Sequence, residues 1–336
     1  MNTGNNGSQM IPPYGPYILC GWRISSDIPL PELLPWPTHT LAPSIQEPDL
    51  RITFRAGVAP EKGLRRPQPD GSFDIAVRGL ASFHISPATD ILSIEAAEGI
   101  DPVLLRNHLY GTVLAAICYR RNLLPLHGAA IKLGDSAVIL CGDSGAGKST
   151  LGTAFSRHGY TLLNDDVCAI DFDRPDGPLL RPAFPRVKLL PDAIDAFGLD
   201  PETTYSVAAR GTKGHFGMAP AGTGAPAALP IAAIYHLLQP GEDGPLTKAM
   251  KAIEAIPFLR AQVHRRGIGK LLGHQEAVAR QVFRLSGAVP CYALTRRKGL
   301  EFLSQTVDFI AAKHGQDAAA QCGPAPLQSE AVPMKL

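Results

Sequence analysis

The residues with the clearest chemistry are Gly142-Asp143-Ser144-Gly145-Ala146-Gly147-Lys148-Ser149, which complete the spacing G-x-x-x-x-G-K-[ST]. Glycines at these intervals let the backbone turn sharply, so that successive N–H groups point into one concavity. The positive end of the following helix dipole lies behind them. Such a loop cradles phosphates: Lys148 reaches the β- and γ-phosphates, and Ser149 Oγ binds Mg²⁺. Asp143, Ser144, Gly145, Ala146, Gly147 and Thr150 make up the rest of the expected nucleotide contact. A chance match in a glycine-rich turn is separated from a true site by its flanks.

Those flanks have the required form. Ala137–Cys141 is an apolar run that reads as a buried strand, and Thr150–His158 has helical spacing with Leu151, Ala154 and Phe155 on one side. The next apolar run, Tyr160–Leu163, ends in Asn164-Asp165-Asp166. A carboxylate at a strand end beside a phosphate loop can hold Mg²⁺ or accept the proton of an attacking hydroxyl. The residues themselves do not say which aspartate takes which role. His127 opens a strand over His127–Leu133, and the Gly134–Ser136 turn folds that strand back onto the loop strand. Taken singly, His127 reads as a packed strand-end histidine and the aspartates as a turn or cap. Their order around the loop makes a constellation.

The succession Leu126-His127-Gly128, Gly142–Ser149 and Asn164-Asp165-Asp166 resembles the catalytic core of the HPr kinase/phosphorylase family, over about Leu126–Asp171. The nucleotide site of that family in turn resembles that of phosphoenolpyruvate carboxykinase. A second resemblance, to the HPr-kinase-like proteins of lasso-peptide gene clusters, is carried by Tyr17-Ile18-Leu19, Ser26–Leu33 and Pro185–Asp192. These resemblances imply an ATP- and Mg²⁺-dependent serine kinase whose partner is a precursor peptide, with the peptide's C-terminal serine as acceptor. They further imply Asp165 as general base, His127 positioning Asp165 or the γ-phosphate, and Ser149 with Asp166 holding the metal. There are two departures. Thr150 stands where the bifunctional HPr enzymes usually carry Glu, and their second glycine-rich signature with its arginine is not recognisable after Asp166. Both argue against a phosphorylase activity and against HPr as substrate. The alternatives are a small-molecule, HPr-type or carboxykinase-like enzyme, or a nucleotide-gated peptide-binding module without transfer.

Composition sets outer limits. The 336 residues are 45% hydrophobic and 18% charged, enough for a substantial core in one large or two modest domains. A formal net charge of +2 points to neither nucleic acid nor membrane as partner. The six cysteines show neither a C-x-x-C pair nor a zinc spacing, and several lie in apolar runs, as in a reduced cytoplasmic protein. No signal-peptide pattern is evident. A homo-oligomer is left open.

The elements that must position the site follow from periodicity. The expected class is α/β (α+β): a P-loop domain with a mixed sheet and helices, preceded by a mostly antiparallel β region. Residues 1–16 and 314–336 have the composition of disordered ends. Residues 17–121 form the β-rich region. Strands are expected at Tyr17–Ile24, Leu50–Phe54, Ser72–Val77, Ala81–Ser86 and Ile91–Ala96, then a long helix starting at Asp101-Pro102. Residues 122–313 form the catalytic domain. In it, Pro185–Pro191 reads as extended, Asp192–Phe197 as a short helix, and Ile231–Leu238 and Val289–Leu294 as strands. Ala249–His264, Lys270–Leu285 and Gly299–Ala312 read as helices. Ala208–Ala228 is rich in Gly, Pro and Ala and reads either as a linker or as a lid over the phosphates. Arg186, Lys188, Arg210 and Lys213 are the cations expected near phosphate or substrate, each weighed against a plain surface role. Arg260, His264, Arg265, Arg266 and Lys270 form a basic cluster, read as a solvated face with acidic-peptide docking as the lesser alternative.

Overall fold

The computed structural model describes residues 14–34, 47–173, 177–200, 213–218 and 227–315. The first sheet contains β1 (Tyr14–Leu19), β2 (Trp22–Ser26), β3 (Leu50–Gly57), β4 (Leu64–Pro67), β5 (Phe73–Val77), β6 (Ala81–Ile85) and β7 (Ile91–Ala97), in the order β1-β2-β3-β7-β6-β5-β4. Most pairings are antiparallel, but β3 runs parallel to both β2 and β7. The single strand expected over Tyr17–Ile24 is instead a hairpin, turned at Cys20 and Gly21 with φ of 53° and 77°. Its start precedes the boundary set for a disordered N-terminus, because Tyr14–Pro16 already belong to β1.

One face of this sheet is apolar by alternation. Ile52, Ile75, Phe83, Leu92 and Ile94 are buried there and share a core with Leu105, Leu109, Val113 and Ile117 of the following helix. That helix begins as α1 (Pro102–His108), passes through a π-helical turn at Leu109–Val113, and ends as α2 (Leu114–Arg120). Asp101 caps it, its carboxylate accepting the Val103 N–H at 2.8 Å, with Pro102 at the first helical position.

The second sheet is built on β8 (Leu124–Leu126), β9 (Gly128–Leu133), β10 (Ser136–Cys141), β11 (Leu162–Asp165), β12 (Cys168–Asp171) and β13 (Leu179–Arg181). A separate ribbon pairs β14 (Arg186–Leu189) with β15 (Gly214–Gly217), and β16 (Leu229–Leu237), β17 (Leu246–Met250) and β18 (Cys291–Thr295) complete the sheet. Its order is β11-β9-β10-β16-β13-β12-β8, with β18 beside β16 and β17 beside β18. The β9–β10 pair is the expected hairpin, and β10 runs parallel to β16. Helices α3 (Lys148–Arg157) and α8 (Leu303–Lys313) share one core cluster through Leu151, Phe155, Val307 and Ile310.

Three expectations change. β15 lies inside the stretch read as a glycine-rich linker or lid; its Phe216 is buried, and only 213–218 and 227–228 of that stretch are described. The helix expected from Ala249 starts later, as α5 (Ala252–Gln262), because β17 takes the preceding residues. The next helix divides into α6 (Arg266–Leu271) and α7 (Gln275–Ala288) at Gly273, whose φ of 74° ends the first of them. The remaining helix expected in the short 192–197 stretch is α4 (Pro191–Ala196). The five described cysteines are buried and unpaired, and no described helix is long and apolar enough to cross a membrane.

A buried charge group joins the N-terminal region to the β14–β15 ribbon. Glu32, in a 3₁₀ turn at Pro31–Leu33, accepts from Arg106 Nε with both oxygens at 2.9 and 3.0 Å and from Tyr110 Oη at 3.2 Å. Arg186 Nη1 lies 3.8 Å from the same carboxylate. Removing one charge from such a buried group strands the others, at a cost of about 3–5 kcal/mol. Glu32→Gln is therefore expected to lower the urea midpoint of unfolding strongly; an unchanged midpoint would show that Arg106 and Arg186 do not need this anion.

Candidate active site

β10 delivers the chain to the phosphate loop, and α3 takes it away. Gly142, Gly145 and Gly147 have φ of 152°, 84° and 82°, conformations that side-chain-bearing residues rarely adopt. Gly147 occupies the N-cap of α3, and no side chain caps the helix start there, which leaves its N–H groups for an anion. Lys148 is buried; its Nζ donates to the carbonyls of Gly142 and Asp143 at 2.9 and 3.0 Å, folding over its own loop. Burial lowers its pKa. Asp143, Ser144 and Gly145 face solvent, while Ala146 is buried.

β11 pairs with β9 and carries the first aspartate to the loop. Ser149 Oγ donates to Asp165 Oδ1 at 3.0 Å, and the Lys188 backbone N–H donates to Asp165 Oδ2 at 3.1 Å. The side chain of Asp166 turns elsewhere and pairs with Lys188 Nζ. Asp165, rather than Asp166, stands against the loop serine. The reason lies in the backbone. Asp166 has a φ of 79°, in the left-handed region, so the chain turns between the two aspartates and sends their side chains apart.

The two carboxylates differ in proton affinity. Burial raises Asp165, and the neighbouring Asp166 charge adds to this; the Ser149 and Lys188 contacts only partly offset it, and the group is pushed up to about 6. Burial alone would raise Asp166 too. The Lys188 ammonium beside it, with His127 and Arg186 farther off, instead holds it well below the usual carboxylate range.

His127 meets a main-chain atom of this turn, not a carboxylate: its Nδ1 lies 3.1 Å from the Asp166 carbonyl oxygen. A carbonyl only accepts, so Nδ1 carries the hydrogen, and in the neutral ring Nε2 keeps its lone pair. Burial, then the Lys148 charge, lowers the pKa of His127 and favours that neutral ring. His127 is placed to hold the Asp165-Asp166 turn rather than to touch the Asp165 side chain.

Two residues at this site, Gln262 and Arg296, were not singled out from sequence, and a third, His264, was placed elsewhere. Gln262, at the end of α5, accepts the Gly142 N–H on its side chain at 3.2 Å and the His127 N–H on its carbonyl at 2.7 Å. It therefore links the start of the phosphate loop to His127. His264, placed in the basic cluster, turns inward and stacks on His127 with ring centroids 5.4 Å apart. Arg296, just after β18, is buried and donates to the Ala146 carbonyl at 2.5 Å. A Cβ at Gly147 would stand 2.5 Å from its guanidinium, so Gly147 is needed for this approach as well as for its φ. Gln262 and Arg296 carry no sequence signal; adjacency to β8 and β10 arises only when the chain folds.

The four expected cations separate. Lys188 joins the site through Asp166. Lys213 is exposed, and its charge bears on both His127 and Lys148. Arg186 is 2% exposed, lies over the adjoining Tyr110 and Phe184 rings at 5.2 and 5.1 Å, and belongs to the Glu32 group. Arg210 lies outside the described residues.

Two of the bound groups expected from sequence can be tested against these residues. The glycine conformations and the uncapped start of α3 fit a nucleotide triphosphate. No group of three or more His, Cys, Asp or Glu that could hold a metal is found among the described residues. Mg²⁺ does not need one, since it is commonly bound by one or two protein oxygens plus phosphates and water. Ser149, beside the Asp165-Asp166 pair, supplies that much.

No protein-family profile matches the chain, and no curated protein matches it. Among solved structures, the chain is similar to the Hpr(Ser) kinase/phosphatase from Coxiella burnetii, at 12% identity and a TM-score of 0.29. The match covers 57% of this chain and 95% of that one. At that score the reading of the site rests on its own residues.

The raised pKa of Asp165 has a stability consequence. The folded state binds a proton that the unfolded chain, with an ordinary carboxylate, releases between about pH 4 and 6. Stability from this group is therefore present at low pH and lost as pH rises through about 6. Asp165→Asn, without nucleotide, is expected to melt at a higher temperature than wild type at pH 7.5, with the gap narrowing below pH 6. A gap of opposite sign at pH 7.5 would contradict a strained carboxylate.

Proposed function

We propose that the chain is a phosphotransferase that moves the γ-phosphate of ATP to a serine hydroxyl of a peptide, with Mg²⁺ as cofactor. The observation that carries this reading is the placement of Asp165 against Ser149 of the phosphate loop, with Lys148 and the uncapped start of α3 on one side and Lys188 on the other. The resemblance in sequence names the acceptor more narrowly, as the C-terminal serine of a lasso-peptide precursor.

The nucleotide supplies the transferred phosphoryl group, and Mg²⁺ neutralises charge on its oxygens. Ser149 would hold the metal, and the resemblance adds Asp166 to its ligands, which leaves Asp165 as the base. The chain's own residues do the positioning. Lys148 exchanges the Gly142 and Asp143 carbonyls for phosphate oxygens. Lys188 keeps Asp166 ionised and, through its N–H, fixes Asp165. Asp165 accepts the proton of the acceptor hydroxyl. His127 and Gln262 hold the turn and the loop in register. A loose transition state makes such placement and charge neutralisation the main sources of rate.

The test compares two variants. Asp165→Asn is expected to keep ATP affinity within a few-fold and to lose transfer by about a hundredfold or more at saturating Mg²⁺, the usual scale for a lost base. Lys148→Ala is expected to weaken both nucleotide binding and transfer. Recovery of the Asp165→Asn rate at high Mg²⁺ would make Asp165 a metal ligand only, and full activity would remove it from the reaction.

A further inference from the structure

The basic cluster that follows α5 does not stay together in the fold. His264 turns inward onto His127, and the next residue, Arg265, has a φ of 50° at the head of α6. This left-handed residue sets α6 off in a new direction, while its own side chain remains exposed. α6 then packs closely on α2, where a Cβ at Gly269 would stand 2.9 Å from the Tyr119 ring, and it also packs against β4. In this way the rim beside His127 is brought next to the edge of the first sheet.

Strand alternation decides which arginine of β4 looks that way. Arg65 pairs in register with Ile75, which is buried on the helix-covered face, whereas Arg66 pairs with Asp74 on the opposite face. Arg65 therefore shares the side of α1 and α6. The charges of Arg265, Lys188 and Arg65 all bear on His108, the last residue of α1. Lys213, from the ribbon side, adds another cation that bears on His127. Arg65, Arg265 and Lys213 are exposed, and among the described residues none of the three is in a salt bridge. The anion on this side, Asp166, is already paired with Lys188.

Exposed cations from three separate stretches of chain thus border the site beside His127. We propose that this rim docks the acceptor, and that the acceptor is a peptide with acidic side chains preceding its phosphorylated serine. This rests on the phosphotransferase reading and adds the substrate class. It also gives the first sheet a function: through Arg65, it contributes to acceptor binding. Exposed cations at a rim act mainly on encounter and salt dependence, so their loss acts on substrate capture and leaves the chemistry alone.

The experiment uses the full chain and two fluorescent peptides, each ending in a single serine, preceded by glutamates in one and by lysines in the other. Binding is read by fluorescence anisotropy in the presence of a nonhydrolysable ATP analogue and Mg²⁺, at low and physiological salt. The glutamate peptide is expected to bind at least tenfold more tightly than the lysine peptide, with the advantage shrinking as salt is raised. The double variant Arg65→Glu, Arg265→Glu is expected to lose that advantage while its ATP affinity and melting temperature stay at the wild-type values. With ATP itself, phosphate on the glutamate peptide should show KM raised about tenfold or more in the double variant and kcat nearly unchanged. Equal binding of the two peptides, or a double variant that binds the glutamate peptide as wild type does, would overturn the proposal. Tight, rim-dependent binding with no phosphate transferred would uphold the docking surface and instead contradict the phosphotransferase reading.

Discussion

Two adjacent aspartates, one buried and one half-buried, point apart, and a single residue holds both. Lys188 neutralises Asp166 with its side chain and steadies Asp165 with its main-chain N–H. Without a fixed Lys188, adjacent aspartates in this setting would share one proton and lose their separate characters. Much of the surrounding structure serves to fix it. β14 holds Lys188 in register with His215 of β15, and the inward neighbour Arg186 is anchored to Glu32. The N-terminal region thereby supports the position of a lysine in the P-loop half, although the charge group that does so is remote from the phosphate loop in sequence.

The other side of the site depends on a crossing segment. Gln262-Val263-His264 runs beside Pro125-Leu126-His127, with bridges at Leu126–Val263 and hydrogen bonds from His127 to Gln262 and from His264 to Pro125. This short pairing extends β8 and brings a glutamine amide to the first residue of the phosphate loop. The loop is then held from three directions: by Gln262 at Gly142, by Arg296 at Ala146, and by Lys148 across its middle. Of these, the lysine can release its carbonyls for a ligand without exposing apolar surface. The loop's shape is thus set before nucleotide arrives, which lowers the ordering cost of binding.

What was legible in sequence was local. The phosphate loop, its strand and helix, the β9–β10 hairpin and the Asp101 cap follow from spacing and turn chemistry within a few residues. The Asn164-Asp165-Asp166 run marked the right place, but which aspartate meets Ser149 depends on a single φ at Asp166 that residue type does not announce. Arg186 and Lys188 looked equivalent as cations two residues apart in an extended segment. They separate because Lys188 meets Asp166, whereas Arg186 is stacked by Tyr110 and Phe184 from distant parts of the chain. β15 was hidden by glycines at both its ends, and Gln262 and Arg296 owe their roles wholly to long-range packing.

The central claim is that a serine hydroxyl receives the γ-phosphate at Asp165. Intact-mass spectrometry of a serine-terminated lasso precursor, incubated with the protein, ATP and Mg²⁺, tests it most directly, with an alanine-terminated precursor alongside. The account predicts a gain of one phosphate mass on the serine form and none on the alanine form. ATP turned over to ADP and inorganic phosphate, with neither precursor gaining mass, would contradict it.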